Sequence, residues 1–461
     1  MTGITWLAAF VILPAVGAPL LAHPAFGRFP FASRAVLAAS AGAAFLSFAM
    51  TLFTLAGVRW GVAPVTAVAA LLAWGSRAFL RGEAKAAVPE PVRAGAAELF
   101  AGAVASVAVL AALGATLGGA ATSVDLVFFW GAKAQQFAAF RGVDTAFLRD
   151  VAHQYMHPYY PPLVANLFAF ATMAAERFVW TSAALTFPVA LVALAAGLPG
   201  LLRGPLSGRS AAATSAFIVA TLACIGSQAD VAGNADMLLL LFETLAMALL
   251  LRPDSAGASG DLLTGLLFAA AASAKVEGLP FVLAATALAL ALRRGPPAER
   301  GKAALRLLAP TALSLSAWFA FGASRRLCYE YSEYGRFFDI HAEHGPKIVA
   351  EIFRALASTG RGLPYLIPLL CLIGAGRLGR MAIIPLGTAG LLAGFLVFTY
   401  LHVADDPAQW ISWSAARVFA PISVLFTLAA ACSQSARPEP VPGPRQACSR
   451  PPREPRSRSP G

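Results

Sequence analysis

Apolar windows of roughly 20 residues follow one another along most of the chain, separated by short polar turns. That is about the length a helix needs to cross a hydrocarbon core. The windows are rich in Ala and Leu and lack the period-two alternation of a β-barrel strand. Helices can stand alone in lipid because each backbone N–H and C=O finds its partner within the segment. The candidate segments are 3–22, 34–57, 61–80, 98–119, 161–176, 178–201, 211–228, 233–251, 261–275, 277–292, 303–322, 360–376, 381–402 and 411–432. The pattern predicts an all-α polytopic membrane protein, a bundle of about 12–14 membrane helices over residues 1–432.

Two polar islands interrupt the pattern, at about 120–160 and 323–359. The first carries Asp125, Lys133, Asp144, Asp150, His153 and His157 among aromatic residues, and ends at Pro161–Pro162. The second holds Arg325, Arg326, Glu330, Glu333, Arg336, Asp339, His341, Glu343 and His344. Residues 433–461 are rich in Pro and Arg, cannot bury a core, and read as a disordered cytoplasmic tail. The first segment lacks a basic flank and reads as a retained membrane helix.

Charge sets the orientation. Basic residues gather in four loops: Arg77, Arg81, Lys85 and Arg93; Arg203 and Arg209; Arg293, Arg294, Arg300, Lys302 and Arg306; Arg377 and Arg380. The positive-inside rule assigns these loops to the cytoplasm and both polar islands to the exterior. The count then puts both ends of 161–176 outside, which a re-entrant or shallow helix would explain. The formal charge of +12 raises nucleic acid as a partner, but no basic face interleaved with aromatics appears, so that class is set aside. The five cysteines show neither CxxC nor metal spacing. No Walker A motif is present, which argues against an ATP-driven machine.

Candidate chemistry falls in five places. In the first island Phe129 and Trp130 lie four and three residues before Lys133, on one helical face. A helix on the membrane surface would show Asp125 and Lys133 to water and bury Phe128, Phe129 and Trp130 in the headgroup layer. Asp125 could then act as a general base or simply cap the helix. His153 and His157 are spaced as a metal pair could be, and Tyr159 and Tyr160 suit either an interfacial belt or a sugar face. Gln228, Asp230, Asn234 and Asp236 precede or open an apolar helix, Asp236 as a cap or as a cavity-facing acid. Lys275 and Glu277 sit between two short segments, where they could bridge each other. Arg417 sits one turn into the last apolar segment, where it must snorkel, pair or meet an anion such as a lipid phosphate.

Taken in order, these pieces resemble the bacterial GT-C glycosyltransferases, in particular the family 39-like and lipopolysaccharide-core mannosyl- or galacturonosyltransferase-like membrane proteins. The resemblance rests on Asp125, Trp130, Lys133 and Ala134, on His157-Pro158 through Tyr160-Pro161, on Gly233 to Asp236, on Ala274-Lys275-Val276-Glu277-Gly278, and on Trp413 to Arg417 with Pro421. It implies an enzyme of the inner membrane that takes a hexose or pentose from a polyprenyl-phosphate donor and passes it to a lipid, glycan or protein acceptor on the periplasmic face. Asp125 would be the catalytic base. Lys133, His157, Tyr159, Asp236, Lys275, Glu277 and Arg417 would bind substrate, with the cations toward phosphate. The chain departs from the family at Val124 and Leu126, where a paired acid is common, and at Ala416, where an acid often precedes the Arg. Cofactor use is left open, a divalent cation included. Competing readings are a transporter or flippase for a lipid-linked substrate and a catalytically degenerate scaffold of envelope assembly.

Overall fold

The computed structural model describes residues 2–80, 95–118, 123–228, 231–252, 257–327, 340–403 and 406–435. Among them no strand occurs. The main helices are α1 (Gly3–Leu21), α2 (Phe31–Leu55), α3 (Val62–Ser76), α4 (Ala96–Gly118), α5 (Gly131–Phe140), α6 (Leu163–Ala175), α7 (Trp180–Leu202) and α8 (Gly208–Gln228). There follow α9 (Ala235–Leu250), α10 (Ala258–Ala274), α11 (Gly278–Leu292), α12 (Pro297–Ser324), α13 (Gly345–Ser358), α14 (Leu363–Gly374), α15 (Ile383–Tyr400), α16 (Pro407–Val418) and α17 (Ala420–Ser435).

Each apolar segment expected from the sequence coincides with a helix. Among the described residues nine helices are long and apolar enough to cross a membrane, ten if α16 and α17, bent by 40° at Phe419, form one span. One of the nine is the stretch Ala342–Gly374, whose run is broken by positive φ at Gly360, Arg361 and Gly362. The segment expected at 161–176 is α6, 13 residues long and buried in the protein over Leu163–Thr172. At about 1.5 Å per residue it is shorter than a hydrocarbon core.

Burial sorts the helices into a centre and a perimeter. α9 and α10 are buried on nearly every side, as befits helices that are apolar all round. α4 shows Leu99, Phe100, Val107 and Leu110 on its outer face, a surface suited to lipid tails. Interhelical polar contacts stitch the apolar packing: Asn166 Nδ2 donates to Ser47 Oγ at 3.1 Å, and Trp6 Nε1 to Thr172 Oγ1 at 3.3 Å. α1 and α2 approach closely because Gly17 faces the carbonyl of Ala38 and Gly42 that of Leu13. A side chain at either glycine would strike backbone, the logic of small-residue seams in membranes.

The two ends of the bundle differ in charge chemistry. α9, α10 and α11 run up and down in succession, so the C-terminal ends of α9 and α11 meet the N-terminal end of α10. There Arg252 Nη1 donates to the carbonyls of Gly200 (3.1 Å) and Leu201 (3.0 Å). Arg293 pairs with Asp261 at 2.7 Å, and Arg380 donates to the Leu292 carbonyl. Cations at helix C-termini satisfy carbonyls that have no partner within the helix. The opposite end holds Asp236, Lys275 and Glu277.

α13 is strongly amphipathic. Ile348 and Ile352 face α16, while Val349 and Phe353 stay exposed. Lys347 binds Asp406 at 2.8 Å, and Asp406 caps α16 through the Ala408 N–H at 2.9 Å. The Lys347 ammonium and that N–H hold the Asp406 carboxyl below the usual carboxylate range. Glu330, Glu333, Arg336 and Asp339 of the second island lie outside the described residues, as do Asp230, the basic loop at Arg81, Lys85 and Arg93, and the tail beyond Ser435.

Gly17→Leu is expected to lower unfolding stability in detergent by about 1–3 kcal/mol through overpacking. Gly114→Ala, on α4 with open space around its Cα, should be neutral or stabilising by about 0.5–1 kcal/mol. Parallel thermal unfolding of the two variants checks the contrast, and equal effects would mean the seam is not tight.

Candidate functional site

Asp125 lies at the start of a helical stretch whose next turn, Leu126–Trp130, is a π-helix leading into α5. It makes no capping hydrogen bond. Its Oδ2 instead accepts from Asn234 Nδ2 at 2.7 Å and from Arg417 Nη1. The surface-helix expectation is therefore corrected: Asp125 points inward, because two donors wait there and water offers less.

Asn234 is set by the turn before α9. Gly233 has φ +77, the left-handed region open to glycine, and a Cβ there would collide with Leu126. The tight turn places Asn234 as the cap residue of α9 and frees its amide for Asp125. Asp236, one residue into α9, does not cap either. It accepts from Lys275 Nζ at 2.9 Å, and its other oxygen lies 3.6 Å from Arg417 Nη1.

Lys275 breaks the chain between α10 and α11 by taking an extended conformation (φ −157, ψ 152). This turns its side chain across to Asp236 and to Glu277, at 2.9 Å each. Arg417 comes from the last turn of α16, just before the bend into α17. Tyr365 and Tyr400 fix α16, by hydrogen bonds to the Ala416 carbonyl (3.3 Å) and the Ser414 hydroxyl (2.7 Å).

The result is a chain of alternating charge: Asp125, Arg417, Asp236, Lys275, Glu277. It is mostly buried; Asp236 and Lys275 are 2% and 6% exposed. Buried charges survive only when paired and hydrogen-bonded, and here each cation is shared by two acids. A narrow pocket lies beside the ladder, with about 300 Å³ of empty space including its open mouth. Asp236, Glu243, Glu277 and Arg417 supply its polar wall, and Leu239, Leu240, Leu392, Leu396, Val418 and Pro421 its aliphatic wall. Inside it Arg417 Nε, Asp236 Oδ2, Glu243 Oε2 and Glu277 Oε2 are buried atoms without a hydrogen-bond partner.

Five of the expected site residues thus converge: Asp125, Asp236, Lys275, Glu277 and Arg417. The other three group elsewhere. Lys133 is 3% exposed, not open to water, and donates to the His157 carbonyl at 2.7 Å. Its ammonium lies 5.3 Å from the Trp130 ring, on the shared face expected from their spacing. The His157 ring stacks on Tyr160 (4.6 Å between centroids), and the Tyr159 carbonyl accepts from Trp318 Nε1 at 2.9 Å. Trp130, Lys133, Phe137, Pro158, Tyr160 and Trp318 line a second, aromatic pocket. The His153 Nδ1 lies 2.9 Å from the Phe147 carbonyl, and among the described residues no third ligand joins His153 and His157 in a metal-binding group.

Sequence reading missed Glu243. It stands in the apolar run LLLLFETLAM, seven residues after Asp236 and therefore on the same face of α9. The signal was an acid inside a membrane-length apolar stretch, which is costly without a role. For a divalent cation the fit is poor. Among the described residues no three His, Cys, Asp or Glu side chains gather closely enough to hold a metal ion, and the ladder acids already face Lys275 and Arg417.

Fold and site together define an all-helical protein, rich in helices able to cross a membrane, with a buried charge ladder at one end. The chain matches no protein-family model, no curated protein and no solved structure.

Removing one ladder cation should expose its cost. Lys275→Met is expected to destabilise by roughly 3–5 kcal/mol, because Asp236 is left buried without its nearest partner. Adding Asp236→Leu should recover most of that loss. Unfolding of the single and double variants in the same detergent tests this, and additive losses would refute the pairing.

Proposed function

We propose that this chain is a membrane glycosyltransferase with a GT-C-like bundle, moving a sugar from a polyprenyl-phosphate donor to a lipid, glycan or protein acceptor. The reaction takes place on the periplasmic or outer face of the bacterial inner membrane. The observation that carries this reading is the convergence of Asp125, Asp236, Lys275, Glu277 and Arg417, from four separate stretches of the chain, in one ion-pair ladder, three of whose members line a pocket. Its position supports the outer face: the arginine-rich end of the helices is the opposite one, and basic ends favour the cytoplasm.

The chemistry divides among the residues. Arg417 Nε, buried and without a partner at the pocket, can donate to a phosphate oxygen, since guanidinium offers five donors and only some are used. Lys275 and Arg417 together stabilise the charge that grows on the departing phosphate. The acceptor hydroxyl oxygen bonds to the anomeric carbon as the carbon–oxygen bond to phosphate breaks. The phosphate keeps the bonding electron pair, and Asp125 takes the hydroxyl proton. Lys133 lines the aromatic pocket, and His157 and Tyr159 flank it through Tyr160 and Trp318; its ring faces and the buried indole N–H of Trp130 suit a sugar on the acceptor side.

The test uses membranes carrying wild type or Asp125→Asn at equal abundance, supplied with radiolabelled undecaprenyl-phosphate sugars. Wild type is expected to consume a donor, and the variant to be about 10²–10⁴-fold slower, the usual worth of a general base. Equal turnover in both would remove Asp125 from the chemistry. Absence of turnover with every donor would point to a transporter or a scaffold.

A further inference from the structure

Glu243 is the acid that the ladder does not use. It lies two turns along α9 from Asp236, is 3% exposed, and lines the pocket with Oε2 lacking a hydrogen-bond partner. Glu277 Oε2 and Asp236 Oδ2 are in the same condition beside it. Three acids line this pocket, Asp236, Glu243 and Glu277, with one cation, Arg417. The two polar ends of the site therefore ask for opposite partners. Arg417 Nε offers a hydrogen bond; Glu243 and Glu277 need to receive them.

An unsatisfied buried acceptor is expensive, and a ligand that supplies the donor recovers that cost. The inner pocket has room for about one water molecule, which is the room one hydroxyl takes. A phosphate oxygen brings no hydrogen to these acceptor atoms, so this end of the pocket does not suit it. The facing wall of Leu392, Leu396 and Val418 accepts C–H surface. A group that puts one hydroxyl into this space and lays apolar C–H against the aliphatic wall at the open mouth matches both, and a sugar ring is such a group.

We infer that Glu243 reads a hydroxyl of the transferred sugar, with Glu277 beside it, while the phosphate of the same donor sits at Arg417. This rests on the glycosyltransferase reading and extends it to a residue that sets sugar specificity. Glu243 acts as an acceptor for the sugar and takes no part in bond cleavage. Its loss is felt in donor affinity for the sugar-bearing lipid and not for the bare lipid.

The experiment uses the full chain in nanodiscs and measures binding of undecaprenyl phosphate alone, undecaprenyl-phosphate-mannose, -glucose, -galacturonic acid and -arabinose. Wild type, Glu243→Gln and Glu243→Leu are compared, with unliganded melting temperature as the check on folding. At least one sugar lipid is expected to bind wild type more tightly than the bare lipid. Glu243→Leu should weaken that sugar lipid about tenfold or more and leave the bare lipid unchanged, the scale of a hydrogen bond to a charged group. Glu243→Gln, which keeps one acceptor oxygen and nearly the same shape, should fall between. A sugar preference that survives both substitutions overturns the role of Glu243 and leaves the transferase reading standing. No preference for any sugar lipid in wild type overturns both.

Discussion

Two cations shared among three carboxylates hold this protein's functional end together. Arg417 joins the end of α16 to Asp125 and to α9; Lys275 joins the α10–α11 break to the same helix and to Glu277. All but the Lys275–Glu277 link cross between elements that are distant in sequence. Because the groups are largely withdrawn from water, no member can be left alone without a desolvation cost of several kcal/mol. The ladder therefore acts as a geometric lock: if one helix shifts, a buried charge loses its partner. That constraint is what fixes Asp125 in the ladder, just ahead of the π-helical turn Leu126–Trp130.

The rest of the bundle can be read as the support for that lock. α9 and α10 are the innermost helices, and their small and aliphatic side chains pack against neighbours on all sides. They deliver Asp236 and Lys275 to one end and Arg252 and Asp261 to the other. The arginines at that second end work differently. Arg252 and Arg380 donate to carbonyls at helix C-termini, while Arg293 pairs with Asp261. One end is a continuous ladder of side-chain pairs; the other joins one such pair to arginines that serve helix termini.

Much of this was legible in the sequence. The helices were, since apolar windows of membrane length are a strong signal and each one found here carries its expected segment. Asp125, Lys275, Glu277 and Arg417 were legible too, because ionisable residues are few in such a chain and costly where they occur. The Lys275–Glu277 bridge was legible as well, but the partners on other helices were not. Pairing depends on which helix ends meet, and no spacing rule gives that. Lys133 was read as solvent-facing because an ideal helix was assumed. A π turn over Leu126–Trp130 carries an extra residue, and that shifts the phase of everything after it. Glu243 escaped because a single acid among leucines does not disturb the apolar average that identifies a span. The bend between α16 and α17 escaped for the same reason: Val418, Phe419 and Ala420 are apolar, and only the backbone shows the break.

The lock also constrains how the site could work. In the state described here, Arg417 already lies against Asp125 and near Asp236, so its charge is neutralised before any anion arrives. Under the proposed function, an arriving phosphate would not meet a bare cation; it would exchange with carboxylates for the same guanidinium. Such an exchange trades one ion pair for another in the same low-dielectric setting, so its net free energy is far smaller than that of burying a new charge. It also has a consequence for Asp125. Under the proposed transfer, a phosphate that took over part of Arg417 would remove a donor from Asp125 and make it a better proton acceptor. Substrate binding and base activation would then be one event, set by the sharing of a single arginine.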